Sequence, residues 1–336
     1  MPGTNEDILL QAQSGIETVR GTNVPATRKV YAQITPSLTR PLSPFRNTTG
    51  TFQGRRRASY GRTKVAFSAS DEATYQDLPW WFKFALKGGV TATTDAGVPP
   101  AYPYIFVPTI ATDDLNSMTL EFNESGNPYE TGQVMVNSWT LRMDADNDGE
   151  PAWMFDAELI GRDWATTTFT GALANRTTEP ILARGTKLYI DDAGGTLGAT
   201  QKTGSLISCS ISGNNNINYK AFAEDVTYVA ANKVGRGEQT FDAQFTFEFE
   251  NDTEFAKYRN TVAAQRMIRL EQSGAAAIHD AVYPRMRLDM YGYWSSWSRG
   301  TRVNNLVATF GFQGFFDDTA ARTFSAEVVN ASATLV

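Results

Sequence analysis

Five stretches of this chain alternate apolar and polar residues with period two: Val30–Thr35, Thr63–Ser68, Ser117–Phe122, Val134–Leu141 and Phe241–Phe249. Successive side chains of an extended strand point to opposite faces, so each stretch predicts one face to bury and one to leave wet. All five are rich in Val, Thr and aromatics, the residues that suit a pleated, half-buried surface. Turn-forming clusters at Asn123–Pro128, Asp144–Pro151 and Asp191–Gly198 separate strands. Only two longer segments read as helix. One opens at Asp71-Glu72, carries Tyr75, Leu78, Trp81 and Leu86, and stops before Gly88-Gly89, with Pro79 suited to a first helical turn. The other pairs Asn251 with Glu254 at capping-box spacing, then places Phe255, Tyr258 and Val262 along one face. A short N-terminal turn is expected between Asn5 and Gly15. The fold class expected is mainly β, with one short helix in each half.

The halves resemble each other. Val65–Leu78 aligns with Phe245–Tyr258 at an offset of 180, through a strand, a helix cap and two helix anchors. Val30–Ser37 aligns with Ile207–Asn214 at 177, and Met154–Gly161 with Asn304–Gly311 at 150. The same order of elements in both halves points to a tandem duplication with its seam at Thr170–Arg184. The fall from 180 to 150 gives the first copy about 30 extra residues, placed at Gly88–Leu115, which reads as a long loop of the kind that carries an interaction. The expected organisation is an N-terminal arm over 1–26, a first module over 27–175 with the insertion at 88–115, and a second module over 185–336.

Composition narrows the chemistry. With 30 Lys and Arg against 36 Asp and Glu, the net charge is −6, which argues against a protein whose main work is gripping nucleic acid. The single cysteine, Cys209, excludes an intrachain disulfide, and the single histidine, His279, excludes every two-histidine metal site. The start has no basic, apolar signal pattern, and no run is long enough for a spanning helix. The chain reads as soluble, made in a cytoplasm, and without catalytic, cofactor-binding or metal-binding residues.

Several motifs deserve weighing against that reading. Asp144, Asp146 and Asp148 before Gly149 open like a calcium loop, but Pro151 and Phe155 break the motif and strand-like flanks favour a hairpin turn; weak cation binding stays open. Arg55-Arg56-Arg57 with Arg62 and Lys64 is the one basic cluster, and strand geometry splits it over two faces, as for a solvated face or subunit contact. Gly235-Arg-Gly237 precedes a strand, where a dinucleotide fingerprint must follow one, and reads as a turn. Asp156, Glu158 and Asp163 are the acids one would nominate for glycoside hydrolysis, and nothing sets them apart from polar strand positions. His279 lies in a predicted loop with no nucleophile elbow in the chain. Trp294 and Trp297 suit a hairpin tip packed on a neighbouring subunit, or else a sugar-stacking platform.

The opening Gly15-Ile-Glu17-Thr-Val-Arg-Gly21-Thr22-Asn-Val-Pro25-Ala-Thr, the Tyr31–Thr35 strand, the strand pair around Gly54-Arg-Arg-Arg and Val65–Ser70, and the Leu78–Leu86 helix together resemble the major tail tube proteins of long, non-contractile-tailed bacteriophages. Gly235-Arg236, Phe245–Glu250 and the Asn251 helix repeat that series. The resemblance implies a β-sandwich tube module used twice, each with a flanking helix and each lending strands to an inter-subunit β-barrel. It implies a structural virion protein and not an enzyme: stacked rings forming the conduit for DNA ejection, with three chains mimicking a hexamer favoured and six chains left open. The implied partners are the chain itself, a tape measure protein, tail terminator and distal tail proteins, and genomic DNA passing through without specific binding; no membrane is involved. Residues 1–26 and 88–115 are the natural stacking arms. Two alternatives share the composition: another β-rich virion protein (capsid decoration or fibre), and a carbohydrate-binding β-sandwich.

Overall fold

The computed structural model describes residues 11–46, 55–86, 97, 100–108, 115–124, 126–147, 149, 151–220, 234–249, 253–302 and 304–335. In the first half run β1 (Ala12–Ile16), β2 (Arg28–Val30), β3 (Gln33–Thr39), β4 (Leu42–Arg46), β5 (Arg55–Tyr60), β6 (Lys64–Glu72), α1 (Leu78–Ala85), β7 (Tyr102–Phe106), β8 (Met118–Glu124), β9 (Asn127–Asp144), β10 (Met154–Gly161) and β11 (Trp164–Thr166). The second half continues with β12 (Lys187–Asp192), β13 (Gln201–Lys202), β14 (Leu206–Asn214), β15 (Ile217–Tyr219), β16 (Val234–Arg236), β17 (Thr240–Glu248), α2 (Thr253–Arg259), β18 (Arg266–Ser273), β19 (Arg285–Arg302), β20 (Asn305–Gly314) and β21 (Phe324–Asn330). The fold is mainly β, as the alternation predicts, and has the character of a β-sandwich.

All pairings are antiparallel, and their order recurs. The first half reads β2-β1-β8-β9-β10-β6-β3, with β11 also on β9. The second reads β13-β12-β18-β19-β20-β17-β14, with β21 also on β19. A two-stranded hairpin, β4–β5 or β15–β16, stands between the last two strands of each series in sequence. Two pairings join the halves: β9 with β14, and β7 with β21. Among the described residues the sheets do not close on themselves.

The registers move the internal alignment. Ser68 lies opposite Glu158 as Gln244 lies opposite Gly311, so residue 68 answers to residue 244, a step of 176 and not 180. Four residues is an even shift, which leaves every strand face unchanged and makes the two alignments look alike in sequence. Val65, Phe67 and Ala69 of β6 are buried, and so are Phe241, Ala243 and Phe245 of β17.

Other expectations change locally. Ala12–Ile16 is a strand held between β2 and β8 and not a helical turn, and the segment that follows it is loop; residues 1–10 lie outside the described residues. Asp71 and Glu72 end β6, and α1 begins at Leu78 with proline in its first turn. The 88–115 stretch is not loop throughout: β7 lies on β21, and its Phe106 packs on Phe82 of α1 at 5.8 Å between centroids. α1 is nearly engulfed. Trp80, Trp81, Phe82 and Phe84 are all buried, with Phe82 edge-on to Trp139 at 5.6 Å. In the second half Asn251 falls outside the described residues, α2 ends at Arg259, and Val262 lies beyond it, exposed. One continuous apolar core runs through both halves.

Candidate assembly interface

The N-terminal motif is a loop tied down by one buried carboxylate. Glu17 accepts from the backbone N–H groups of Gly21 and Gln133, both at 2.7 Å, and from the hydroxyls of Ser117 (2.6 Å) and Thr119 (3.1 Å). A carboxylate removed from water requires such donors. Gly21 closes the loop at φ +76°, a conformation that favours glycine. Glu121 does the same for the seam, accepting from Gln13 Nε2 at 2.9 Å and from the Thr170 N–H and hydroxyl at 2.8 and 2.6 Å.

The two halves meet edge to edge. β14 lies along the outer segment of β9, with Ser212 opposite Thr140 and Gly213 opposite Trp139. A Cβ on Gly213 would sit 2.4 Å from the Trp139 indole nitrogen, so glycine is what lets the buried ring cross the junction. Asn215, fully buried, ties the corner: its amide donates to the carbonyls of Ala85 and Val136 at 2.8 and 2.9 Å, and its oxygen accepts from Gln239 and Arg236. The β15–β16 hairpin then leans on the first half. Ile217 joins Leu115 and Met135 in a separate apolar cluster with Ile160 and Val234, and its N–H donates to Asn137 Oδ1 at 2.8 Å.

A buried charge cluster anchors each helix. Asp77, at the start of α1, takes Arg28, Arg176 (2.6 Å) and the Thr74 hydroxyl (2.9 Å), while Arg28 also lies over the Trp80 ring. Burial, with Arg176 alongside, lowers the Arg28 guanidinium to about 10, so it stays charged at neutral pH. In the second half Glu254 takes Arg266 (2.7 Å), Lys202 (3.4 Å) and the Trp294 indole N–H (3.1 Å).

Near the first cluster, burial and then the charge of Asp77 push the Asp71 carboxyl up to about 7. Between about pH 4 and 7 the folded chain therefore holds a proton that the unfolded chain has released, so this group's contribution to stability falls as pH rises. Asp71→Asn is expected to flatten that slope and to stabilise by on the order of 2 kcal/mol at pH 8. Urea titrations of both chains across the window measure it.

The family model for the phage tail tube protein matches residues 10–279. The chain belongs to that family. The matched stretch starts beside β1 and takes in both helices and the internal junction. The family is structural and not one of enzymes, so the protein is a structural component of the tail tube and its place is the tail of the virion. Membership implies assembly with itself and with other tail proteins. No curated protein matches the chain. No helix among the described residues is long and apolar enough to cross a membrane.

In a tail tube protein the remaining sequence candidates have these places. Asp144 and Asp146 sit at the β9–β10 turn, where Arg302 reaches both, at 2.9 and 3.1 Å; Asp148 lies outside the described residues. A guanidinium already matches these carboxylates, so millimolar calcium is expected to move Tm by under about 1 °C, and Arg302→Ala to cost under about 1 kcal/mol. Calorimetry with and without calcium checks both. Arg55 and Arg57 share one exposed face of β5, Gly235 lies in β16, and the Gly237 N–H closes onto the Asn216 carbonyl. Asp156 is taken by Arg142 (3.2 Å) and Ser70 (2.6 Å), and Asp163 by the Trp164 N–H (3.0 Å). The His279 ring is buried beside Gly97.

The tryptophans are a correction. Trp294 is core, opposite Phe312 and bonded to Glu254, and Trp297 is half-buried with its ring 4.4 Å from Phe255. Neither forms an exposed sugar platform. What sequence reading missed is a group among the apolar residues that do lie open: Leu38, Leu42, Phe45, Tyr60, Phe315 and Phe316. Their signal was available in Leu42-Ser-Pro-Phe45 and Phe315-Phe316, apolar residues beside turn signals.

Proposed function

We propose that this protein is the tube subunit of a long, non-contractile phage tail, polymerising into stacked rings whose channel conducts DNA at ejection. The family match carries this reading. The doubled strand order supports two tube modules per chain, over 27–175 and 185–336, so that three chains supply six modules; a ring of six chains is the competing count. Strands of neighbouring modules then continue one another into an inter-subunit barrel, which leaves no exposed edge. Rings stack through segments outside the sandwich, and the tube meets a tape measure protein inside and terminator and distal tail proteins at its ends. A net charge of −6 suits a channel that DNA must cross without sticking. The protein is made in the host cytoplasm and acts in the virion.

Negative-stain microscopy of the purified chain over a concentration series tests this. Open-ended tubes with a central channel are expected, with three-fold symmetry in end views. Closed particles or lone rings at every concentration would overturn the tube, and six-fold symmetry with six chains would overturn the trimer.

A further inference from the structure

Among the described residues, the junction inside the chain has an uncovered counterpart at β3 and another at the end of β19. The registers define it step by step. Thr35 lies opposite Ser68 as Ser210 lies opposite Gln244, so β3 answers to β14. Glu158 lies opposite Ser138 as Gly311 lies opposite Ser296, and a register shift falls at the same place in both pairs, beside Asn137 in one and Ser295 in the other. The outer segment of β9 therefore answers to Ser296–Arg302 of β19, and Trp139 answers to Trp297. Within the chain β14 covers the edge of β9. Among the described residues, β3 is paired only with β6, and Ser296–Arg302 only with β20. Two open edges of complementary origin stand on one molecule, and unpaired edges are what a sheet protein must cover.

The hairpins agree. Ile217 of β15 is buried on the first half beside Met135. Its counterpart at the start of β4 is Leu42, 55% exposed, with Phe45 and Tyr60 also exposed on the same hairpin and Arg40 lying over the Tyr60 ring. Met135, opposite Ile160, answers to Tyr293, opposite Gln313. Beside Tyr293 stands Phe315, ring centroids 5.1 Å apart and 46% exposed, followed by exposed Phe316. Among the described residues, an apolar hairpin without a seat and an aromatic seat without a hairpin lie at opposite ends of the repeat.

We infer that β3 of one copy pairs antiparallel with Ser296–Arg302 of a second copy, with Ser37 opposite Ser298 and Leu38 opposite Trp297, while the β4–β5 hairpin of the first covers Tyr293 and Phe315 of the second. The register is that of Ser212 with Thr140 and Gly213 with Trp139, carried across. One change of size accompanies it: Leu38 stands where the internal junction has Gly213, adding an apolar side chain beside Trp297. Pro36 withholds one donor from β3, which limits indiscriminate edge pairing. The contact joins two different surfaces of one chain, so it propagates head to tail and closes a ring when the rotation permits. It rests on the self-assembly reading above and specifies the interface within it.

The test is the double variant Ser37→Cys/Ser298→Cys in the full chain, assembled, treated with diamide and run denatured without reductant. Both positions are exposed, and native Cys209 is buried with its thiol pushed up by burial, so the new thiols dominate. A ladder of covalent multiples is expected, absent from either single variant and from Ser37→Cys/Arg302→Cys, four residues out of register. Thr140→Cys/Ser212→Cys is expected to bridge with no gain in mass, which verifies the conditions. Tubes in the microscope with only single-chain bands would overturn this interface and leave the tail-tube reading standing. A ladder equally strong for the 302 pair would overturn the register. A chain that forms neither tubes nor ladder overturns both proposals.

Discussion

Asp77→Asn is expected to destabilise the protein by about 3–5 kcal/mol, the cost of leaving a buried cation without its partner. The urea midpoint should fall at an unchanged slope. Asparagine keeps the size of the side chain and one bond to Thr74, so the loss isolates the charge. Arg28 is 3% exposed, lies against Trp80, and would have to lose its proton or draw water into the core. Arg176, reaching Asp77 from the linker between the halves, would be stranded with it. Because Asp77 also starts α1, the damage should reach the helix that fills the first sandwich. Arg302→Ala is the fitting comparison: it breaks two ion pairs in the open, and should cost a fraction as much. Equal losses in the two variants would sink the argument from burial. Glu254→Gln should cost less than Asp77→Asn, since Arg266, though equally enclosed, keeps Asp192 as a second partner.

Much of this fold was legible because strand alternation survives small errors. An offset of 180 and one of 176 put the same faces inward, so the likeness of β6 to β17 could be read without its register. The offset of 150 does not survive in the same way, since the registers set Glu158 against Gly311, an odd step of three away that swaps the faces. The helix of the first half was legible from its aromatics. What failed was local and has physical causes. β1 is Ala-Gln-Ser-Gly-Ile, with no apolar alternation to find; it is buried through Gln13 and its bond to Glu121, which no periodicity reports. β7 hides in a Pro-rich insertion because it is recruited by β21, more than 200 residues away. Trp294 and Trp297, three apart, should face opposite ways on a regular strand. The bulge at Ser295 resets the phase and turns both toward the core, opposite Phe312 and Phe310. Bulges are not written in composition, and here one decides that the two tryptophans form no exposed platform. The assembly surface was harder still, since an edge is defined by a strand that is missing, and only the registers reveal which one.

That surface yields the second large effect. Leu38→Asp/Leu42→Asp is expected to abolish tube formation while leaving Tm within about 1 °C of the parent. Both side chains are about half in water in the single chain, so a charge there meets little new resistance and the fold is indifferent to it. At the proposed junction each would be taken out of water opposite apolar partners. A desolvated, unpaired carboxylate costs several kcal/mol, and even ~3 kcal/mol per junction lowers the association constant by about a hundredfold. Each ring repeats the junction, so the penalty compounds. Val262→Asp supplies the control, since Val262 is 74% exposed, lies past the end of α2 and belongs to neither edge strand. The critical concentration for assembly, read by light scattering and checked by microscopy, should rise beyond reach in the double variant and stay put in the control. Tubes of normal length from Leu38→Asp/Leu42→Asp would mean that β3 and its hairpin face solvent in the assembled tail, and the edge pairing would have to be sought elsewhere on the chain.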